Sequence, residues 1–455
     1  LFHSIRRIKF PMPGIGQQIR RRATPCPGTL GLVYGLLVAG TLLLLPVHYA
    51  RAQAEMAEQS LTLENGTELF VSVFPAKGNR LLIWIPSYAT PIDTVREIAG
   101  QLQLAGVEVW YTDLLEAHFL PKTASSIYKI PGTDIVQLME YTRQSTDRNI
   151  YWYAESRATI PVLKGLRQWQ LTAKDAKKFA GVVLNSPYLY NETPDPGQDA
   201  RLRPIVSVTN LPIFILQPEY SPRYWQLRET VPALEQGGSD VFVQVLKNVR
   251  GRFHFRPDAT DDETRFTSHF GQLIAQSLRL LDTVNQKPRI VKAVKLKTIA
   301  VKGKKDRYLQ PYQGDPTPPP LQLETLDGKT MDLRQFKNRV VLVNFWATWC
   351  PPCVHEMPSM QRLSKKMRGN PFVIVGVNIA ERKPVVEAFL RNKVHVDFPI
   401  LLDTDGSTMR QWNVMAFPTS FVIDKDGRIR YALFGSIDWD TPDIMNKIRL
   451  LVKEN

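Results

Sequence analysis

Residues 340–353 read VVLVNFWATWCPPC, and this stretch decides the fold of the C-terminal part of the chain. Its first seven residues are apolar except for Asn344, which predicts a buried strand. Cys350 and Cys353 follow where the strand gives way to a helix. The first turn of a helix has unpaired N–H groups and a partial positive charge, and both favour a thiolate. The pattern therefore predicts Cys350 as a nucleophile.

The C-x-x-C spacing is typical of a dithiol redox site. Residues three apart share a helix face, so the second, more buried sulfur can resolve a mixed disulfide formed by the first. Structural zinc sites use the same spacing but need four ligands. The chain has three cysteines, no second C-x-x-C pair, and His355 as the only nearby imidazole. We therefore favour a redox site, and expect no metal and no cofactor beyond the Cys350–Cys353 disulfide.

The residues around this motif resemble the TlpA/ResA group of thioredoxin-fold proteins. The similarity begins with FWATWCPPCVHEMP and continues through three further segments, residues 372–377, 398–403 and 417–427. It covers the chain from about residue 320 onward. The resemblance implies a thioredoxin-like domain that exchanges thiols and disulfides. It also implies that Pro418 is cis and that its loop helps to dock an extended substrate.

The resemblance carries further expectations about the site. Glu356, three residues after Cys353, matches a buried family carboxylate. Such a carboxyl beside the resolving thiol would relay its proton, with a pKa raised by burial. The alternative is an ordinary glutamate stabilised by the helix dipole. Relatives that share the motif from Trp349 to Cys353 mostly work as reductases, including in cytochrome c maturation. Protein thiol or disulfide clients, apocytochrome c among them, and a membrane electron donor are therefore the expected partners.

Residues 29–47 form an uncharged apolar stretch just long enough to span a bilayer. Six basic residues precede it and only Arg51 follows closely, so the positive-inside rule predicts export of everything after it. Residues 52–54 read AQA, a signal-peptidase pattern, so a retained anchor and cleavage after Ala54 are both open. Either alternative predicts a bacterial protein facing the periplasm, anchored to the inner membrane or released. Cys26 precedes the apolar stretch.

The formal net charge of +15 raises the question of nucleic-acid binding. Residues 1–22 hold six basic and no acidic side chains, and residues 286–307 hold nine basic side chains and one acid. These two segments account for almost all of the excess, which leaves the predicted domains nearly neutral. The first cluster is explained by membrane topology and the second by a solvated linker. The pattern excludes nucleic acid as a partner but leaves contact with anionic lipids open.

A second domain precedes the linker. It contains six apolar runs separated mostly by helical stretches: residues 81–85, 107–111, 150–153, 181–184, 213–216 and 241–245. This alternation predicts an α/β domain with a mainly parallel sheet and crossover helices. The order of turns after the runs is similar to the α/β-hydrolase fold. Residues 154–158 read AESRA, a small-x-Ser-x-small pattern with the shape of a nucleophile elbow.

In that family order, a hydrolase triad would consist of Ser156, Glu219 and His254. His254 would remove the hydroxyl proton while Glu219 fixes the imidazole tautomer. Pro86 weighs against activity, because it lacks an N–H where an oxyanion hole would need a donor. Two alternatives follow: a serine hydrolase or esterase joined to a redox domain, or a degenerate hydrolase-like scaffold that recruits clients to the dithiol.

The predicted organisation has five segments. They are a basic cytoplasmic N-terminus (1–28), a transmembrane or signal segment (29–50), an α/β-hydrolase-like domain (60–285), a basic and Pro-rich linker (286–320) and a thioredoxin-like domain (321–455). Within the linker, residues 294–297 read VKLK and could form an edge strand. The proline-rich residues 313–320 predict a stiff, extended connection.

Overall fold

The structure is a computed structural model that describes residues 56–87, 90–173, 178–191, 200–284, 289, 291, 293 and 308–454. The apolar stretch 29–47, Cys26, the motif at residues 52–54 and the VKLK segment lie outside the described residues. Among the residues that are described, no helix combines the length and the apolar character needed to cross a bilayer.

The described strands form two eight-stranded sheets. The N-terminal strands are β1 (Ala57–Thr62), β2 (Glu68–Phe74), β3 (Arg80–Ile85), β4 (Val107–Tyr111), β5 (Asn149–Glu155), β6 (Phe179–Asn185), β7 (Pro212–Tyr220) and β8 (Asp240–Arg250). The C-terminal strands are β9 (Gln310–Pro311), β10 (Gln322–Thr325), β11 (Thr330–Asp332), β12 (Val340–Trp346), β13 (Phe372–Ile379), β14 (Ile400–Asp403), β15 (Thr419–Ile423) and β16 (Ile429–Phe434).

The α-helices lie between and after these strands. They are α1 (Ile92–Leu104), α2 (Leu114–Ala117), α3 (Gly132–Ser145), α4 (Thr159–Thr172), α5 (Pro222–Gln236), α6 (Asp261–Thr267), α7 (Phe270–Asp282), α8 (Pro351–Lys366), α9 (Lys383–Asn392), α10 (Ser407–Gln411) and α11 (Pro442–Lys453). We refer to the elements from β1 to α7 as the N-terminal unit and to those from β9 onward as the C-terminal unit.

The N-terminal sheet has the strand order β1-β2-β4-β3-β5-β6-β7-β8. Its first two strands run antiparallel to their neighbours, and all other pairs are parallel. The six predicted strands are all observed. Alternating residues point to opposite faces of the sheet: Ile83 packs on the face covered by α3 and α4, and Trp84 packs on the face covered by α1 and α7. Because both faces are buried, β3 reads as a continuous apolar run.

The C-terminal sheet has the order β11-β10-β14-β13-β12-β15-β16-β9, with β12 near its centre. This strand is parallel to β13 and antiparallel to β15. Leu342 faces the core cluster that includes α8 and α11, and Val341 and Val343 face the cluster on the other side of the sheet. Gln310 and Pro311, inside the segment predicted as a linker, pair with β16 at the edge of this sheet. The buried central strand β12 ends at Trp346, directly before the loop that leads to Cys350.

Candidate active site

The cysteine motif forms the start of α8. Cys350 is the N-cap residue, and its Sγ accepts a hydrogen bond from the backbone N–H of Cys353 at 3.3 Å. Pro351 and Pro352 fill the first two helical positions, where the missing proline N–H costs nothing because those donors have no partner within the helix. Cys350 and Cys353 are joined by a disulfide with a Cα–Cα distance of 5.3 Å. The sequence therefore places both sulfurs at the positive end of a helix.

The two sulfurs differ in exposure. Cys350 is 4% exposed and Cys353 is fully buried. A substrate disulfide can therefore reach only the first sulfur, which agrees with the predicted roles of Cys350 as attacking thiol and Cys353 as resolving thiol.

A proline loop lies beside the motif. The Phe417–Pro418 peptide bond is cis, as the resemblance implies. Pro418 directly precedes β15, which pairs with β12, so the loop lies at the same edge of the sheet as the cysteines. The Phe417 ring meets Trp349 edge-on, with centroids 5.6 Å apart. Trp349 and the proline loop thus form one wall next to the dithiol.

Glu356 is fully buried on α8, one turn after Cys353. Its carboxylate accepts hydrogen bonds from Asn344 Nδ2 at 2.8 Å and Trp439 Nε1 at 3.1 Å. Burial raises the pKa of Glu356 to about 8, while the bonds from Asn344 and Trp439 lower it in part. Both donors are neutral, so their hydrogen bonds offset only part of the cost of burying the charge. Glu356 is therefore a carboxyl that can gain and lose a proton near neutral pH.

Glu381 is a site residue that sequence reasoning missed. It follows β13 and accepts hydrogen bonds from the Thr348 N–H at 2.7 Å, from Thr348 Oγ1 and from Asn378 Nδ2. These bonds hold the loop that leads to Cys350. Burial raises the pKa of Glu381, and the bonds from Thr348 and Asn378 oppose that shift. The available signal was its position just past β13, because the carboxyl ends of parallel strands meet at one sheet edge.

Ser156 lies in the tight turn from β5 to α4. Its φ is +49°, in the left-handed region that serine rarely adopts. The turn is held by the Ser156 carbonyl, which accepts hydrogen bonds from Tyr188 N–H at 3.0 Å and Thr159 Oγ1 at 2.6 Å. This strained strand-to-helix turn agrees with the shape predicted from the AESRA pattern.

The structure does not bring Glu219 and His254 together. Glu219 accepts hydrogen bonds from Lys247 Nζ and from the Asn248 backbone N–H at 3.0 Å, so it is tied to the neighbouring strand β8. The expected Glu219–His254 pair was wrong. The strand register is shifted between Pro218 and Tyr220, and Glu219 turns toward β8 rather than toward the loop that carries His254.

His254 instead faces Glu155, the residue before Ser156. Its Nε2 lies 3.3 Å from Glu155 Oε1, and both side chains are almost completely buried. Glu155 also accepts hydrogen bonds from Thr90 Oγ1 at 2.7 Å and Tyr153 Oη at 3.0 Å. Burial raises the pKa of Glu155, but the neighbouring His254 and the hydrogen bonds from Thr90 and Tyr153 together more than offset it, so the net pKa is lowered. Arg250 binds Glu263 and Asp258, which closes the loop that carries His254.

Among the described residues, no group of three or more His, Cys, Asp or Glu side chains is placed to hold a metal ion.

The geometry of the C-terminal site agrees with comparisons to known proteins. The Redoxin family model matches residues 312–448. Over 132 residues the chain is 35% identical to the thiol-disulfide oxidoreductase ResA of Bacillus subtilis, covering 29% of this chain and 73% of that protein. The chain belongs to the ResA family of thiol-disulfide oxidoreductases. The resemblance stated from the cysteine motif is confirmed, and the protein is an oxidoreductase.

The chain is also similar to two further proteins. A ResA of Bacillus thuringiensis subsp. konkukian is 38% identical over 104 residues, which cover 23% of this chain and 60% of that protein. The crystal structure of a thioredoxin-family thiol:disulfide interchange protein from Chlorobium tepidum is 29% identical, with a TM-score of 0.27, and covers 31% of this chain and 99% of that one. The Redoxin match begins at residue 312, so the N-terminal unit lies outside it.

Proposed function

We propose that this ResA relative is a membrane-anchored, periplasm-facing disulfide reductase that works through the Cys350–Cys353 dithiol. The observation that carries the proposal is the placement of Cys350: it is the N-cap of α8, slightly exposed, and joined to a fully buried partner. A helix N-terminus stabilises the thiolate that must attack and that later leaves.

The reaction proceeds in two exchange steps. The Cys350 thiolate attacks one sulfur of the substrate disulfide, forms a mixed disulfide and releases the other substrate sulfur as a thiolate. The Cys353 sulfur then attacks Cys350 Sγ, which releases the second substrate thiolate and closes the Cys350–Cys353 disulfide. Two electrons pass from the dithiol to the substrate. Trp349 and Pro418 shape the surface on which the substrate lies.

Glu356 serves the second step as a proton relay. Cys353 must lose its proton before it attacks, and a thiol has an ordinary pKa of about 8.5. Burial raises the pKa of Glu356 to about 8, so this carboxyl exchanges protons near neutral pH and can take up the proton that Cys353 releases.

A trapping experiment tests this mechanism. Cys353→Ser should freeze the mixed disulfide on Cys350, so that non-reducing electrophoresis and mass spectrometry identify a bound client. Cys350→Ser should trap nothing and serves as the matched control. The measured reduction potential tests the direction of the reaction. A value of about −120 mV, typical of strong oxidases, would overturn the proposal that the protein works as a reductase.

The location and partners rest on the sequence. Residues 29–47 and the basic residues before them support an inner-membrane anchor, with release after Ala54 as the alternative. A client such as apocytochrome c and a membrane electron donor fit a reductase in that place. A membrane-impermeant thiol reagent should label reduced Cys350 in spheroplasts; labelling only after lysis would contradict the periplasmic location.

For the N-terminal unit, we infer a hydrolase-like fold that serves as a scaffold rather than as an active esterase. The mainly parallel sheet and the strained turn at Ser156 support the fold. The loss of the Glu219–His254 pair and the proline at position 86 weigh against catalysis. Ester turnover that disappears in Ser156→Ala would overturn the scaffold and support the bifunctional alternative.

A further inference from the structure

The N-terminal unit contacts the surface of the C-terminal unit that carries the dithiol. The Tyr220 ring, at the end of β7, lies parallel to the ring of Trp349, the residue before Cys350. The ring centroids are 6.0 Å apart and the planes differ by 8°. This is an offset-stacked pair, a favoured arrangement for two aromatic rings.

A second contact lies a few residues further along the chain. Trp225, on α5, packs against the core cluster beneath the C-terminal sheet, and the Arg410 guanidinium lies 5.0 Å from its ring centroid. Gly406 allows this approach: its φ is +66°, and a Cβ built there would lie 2.6 Å from Trp225 Cζ2. Trp225 therefore fits against backbone that only glycine can provide.

The two contacts share one rigid support. Ser221 caps α5 and Pro222 occupies its first position, so the turn between Tyr220 and Trp225 is short and held by the helix start. Both contacts therefore come from one short segment of the N-terminal unit, with the backbone at Tyr220 held close to Trp225. The Tyr220 ring is a part of the dithiol site that comes from a different unit.

The Trp349 ring is consequently covered from two directions. Tyr220 lies on its face and Phe417 meets it edge-on. Among the described residues, its indole N–H finds no hydrogen-bond acceptor although it is shielded from solvent. A buried donor without a partner costs free energy, so this indole N–H offsets part of the free energy gained by the ring packing.

We propose that Tyr220 is a specificity-determining residue of the dithiol, which favours small or extended disulfides over disulfides on folded proteins. A folded client would need to bind against the face of the Trp349 ring. That face becomes accessible only after the two units separate at Tyr220. A small disulfide needs to reach only Cys350. This inference rests on the proposed reductase activity and adds the class of substrate.

The test compares two substrates on one enzyme. The full chain is reduced, mixed with oxidised glutathione or with insulin, and the oxidation of its dithiol is followed by thiol alkylation and mass spectrometry. Each reaction transfers two electrons and two protons from the dithiol to one substrate disulfide. The quantity measured is the ratio of the insulin rate constant to the glutathione rate constant.

Tyr220→Ala should raise this ratio about two- to tenfold, the range expected for loss of one aromatic pair. Tyr220→Phe is the matched control: it keeps the stacked ring, loses only the 3.4 Å contact of Tyr220 Oη with Asn248, and should keep the wild-type ratio. Trp225→Ala loosens the second contact without touching Trp349 and should also raise the ratio. It provides a second measurement if Tyr220→Ala fails to fold.

The outcomes are separable. An unchanged or lower ratio in both alanine variants would overturn the proposal, as would a Tyr220→Phe variant that behaves like Tyr220→Ala. A wild-type protein that reduces neither substrate would instead overturn the proposed reductase function. A uniform loss of both rates in a variant leaves the ratio unchanged and also counts against specificity.

Discussion

Glu356 in the C-terminal unit and Glu155 in the N-terminal unit are both buried beside a turn from a central strand to a helix. Their pKa values nevertheless shift in opposite directions. Burial alone raises a carboxyl pKa, and this is the result at Glu356, whose donors Asn344 and Trp439 are neutral. At Glu155 the neighbouring His254, together with hydrogen bonds from Thr90 and Tyr153, reverses the effect of burial on the pKa.

The contrast shows what each site is able to do. A carboxyl with a pKa of about 8 exchanges protons near neutral pH, as a thiol relay requires. A carboxyl with a lowered pKa stays charged and holds His254 in place. The neighbouring groups therefore decide whether the effect of burial on a carboxyl pKa is kept, as at Glu356, or reversed, as at Glu155.

The largest expected effect is a difference in disulfide reduction between a variant at the C-terminal turn and a variant at the N-terminal turn. Cys350→Ser should lower disulfide reduction by about 10³-fold or more, because no other described sulfur occupies the nucleophile position. Ser156→Ala should leave the same rate within about twofold, since Ser156 lies at the other turn. Stopped-flow oxidation of the reduced protein measures both. Similar losses in the two variants would break the comparison.

The next effect concerns Glu356 and pH. Because burial raises its pKa from 4.5 to about 8, the folded protein keeps a proton that the unfolded chain releases between those values. Stability should therefore fall as pH rises through this window, by about 5 kcal/mol at most. Glu356→Gln should remove that slope. Urea unfolding of the disulfide form at several pH values checks this, because the joined cysteines do not titrate. A slope that survives in Glu356→Gln would contradict the assignment.

A third effect distinguishes the two candidate acids of the N-terminal unit. Glu155→Gln should cost about 3 kcal/mol of unfolding free energy, because it removes a buried carboxylate that lies 3.3 Å from His254 and accepts hydrogen bonds from Thr90 and Tyr153. Glu219→Gln should cost less than about 1 kcal/mol, because its partner Lys247 is 66% exposed. Equilibrium unfolding measures both. A larger loss for Glu219→Gln than for Glu155→Gln would contradict the structural role given to Glu155.

The smallest effect concerns the strain at Ser156. Its φ of +49° is easily adopted only by glycine, so Ser156→Gly should stabilise the protein by about 0.5–1 kcal/mol. Ser156→Ala keeps the strain and is the matched control, with no expected gain. Thermal unfolding checks the pair. Equal melting temperatures for the two variants would show that the turn stores no strain.

The sequence predicted much of the C-terminal site because its residues act locally. Cys350, Cys353 and Glu356 lie on one helix, so their spacing specifies their geometry. The six strands of the N-terminal sheet were also predicted, because each is a short apolar run with its own signal.

The partner of His254 was not predictable in the same way. Counting strands pointed to Glu219, but the observed partner depends on how the loop after β8 returns to the sheet. That loop contains Arg252 at φ +63° and is closed by the Arg250–Glu263 pair. Neither feature produces a periodic pattern of apolar residues that could be recognised in the sequence. Glu381 was missed for the same reason: its role comes from strands that meet in space.

The short strand β9 has a consequence for the contact at Tyr220. The N-terminal unit ends with α7 at Asp282, and the chain joins the edge of the C-terminal sheet at Gln310. Because one chain carries both surfaces, their contact is intramolecular, with an effective concentration of roughly millimolar. At that concentration a contact too weak to unite two separate proteins stays formed for much of the time.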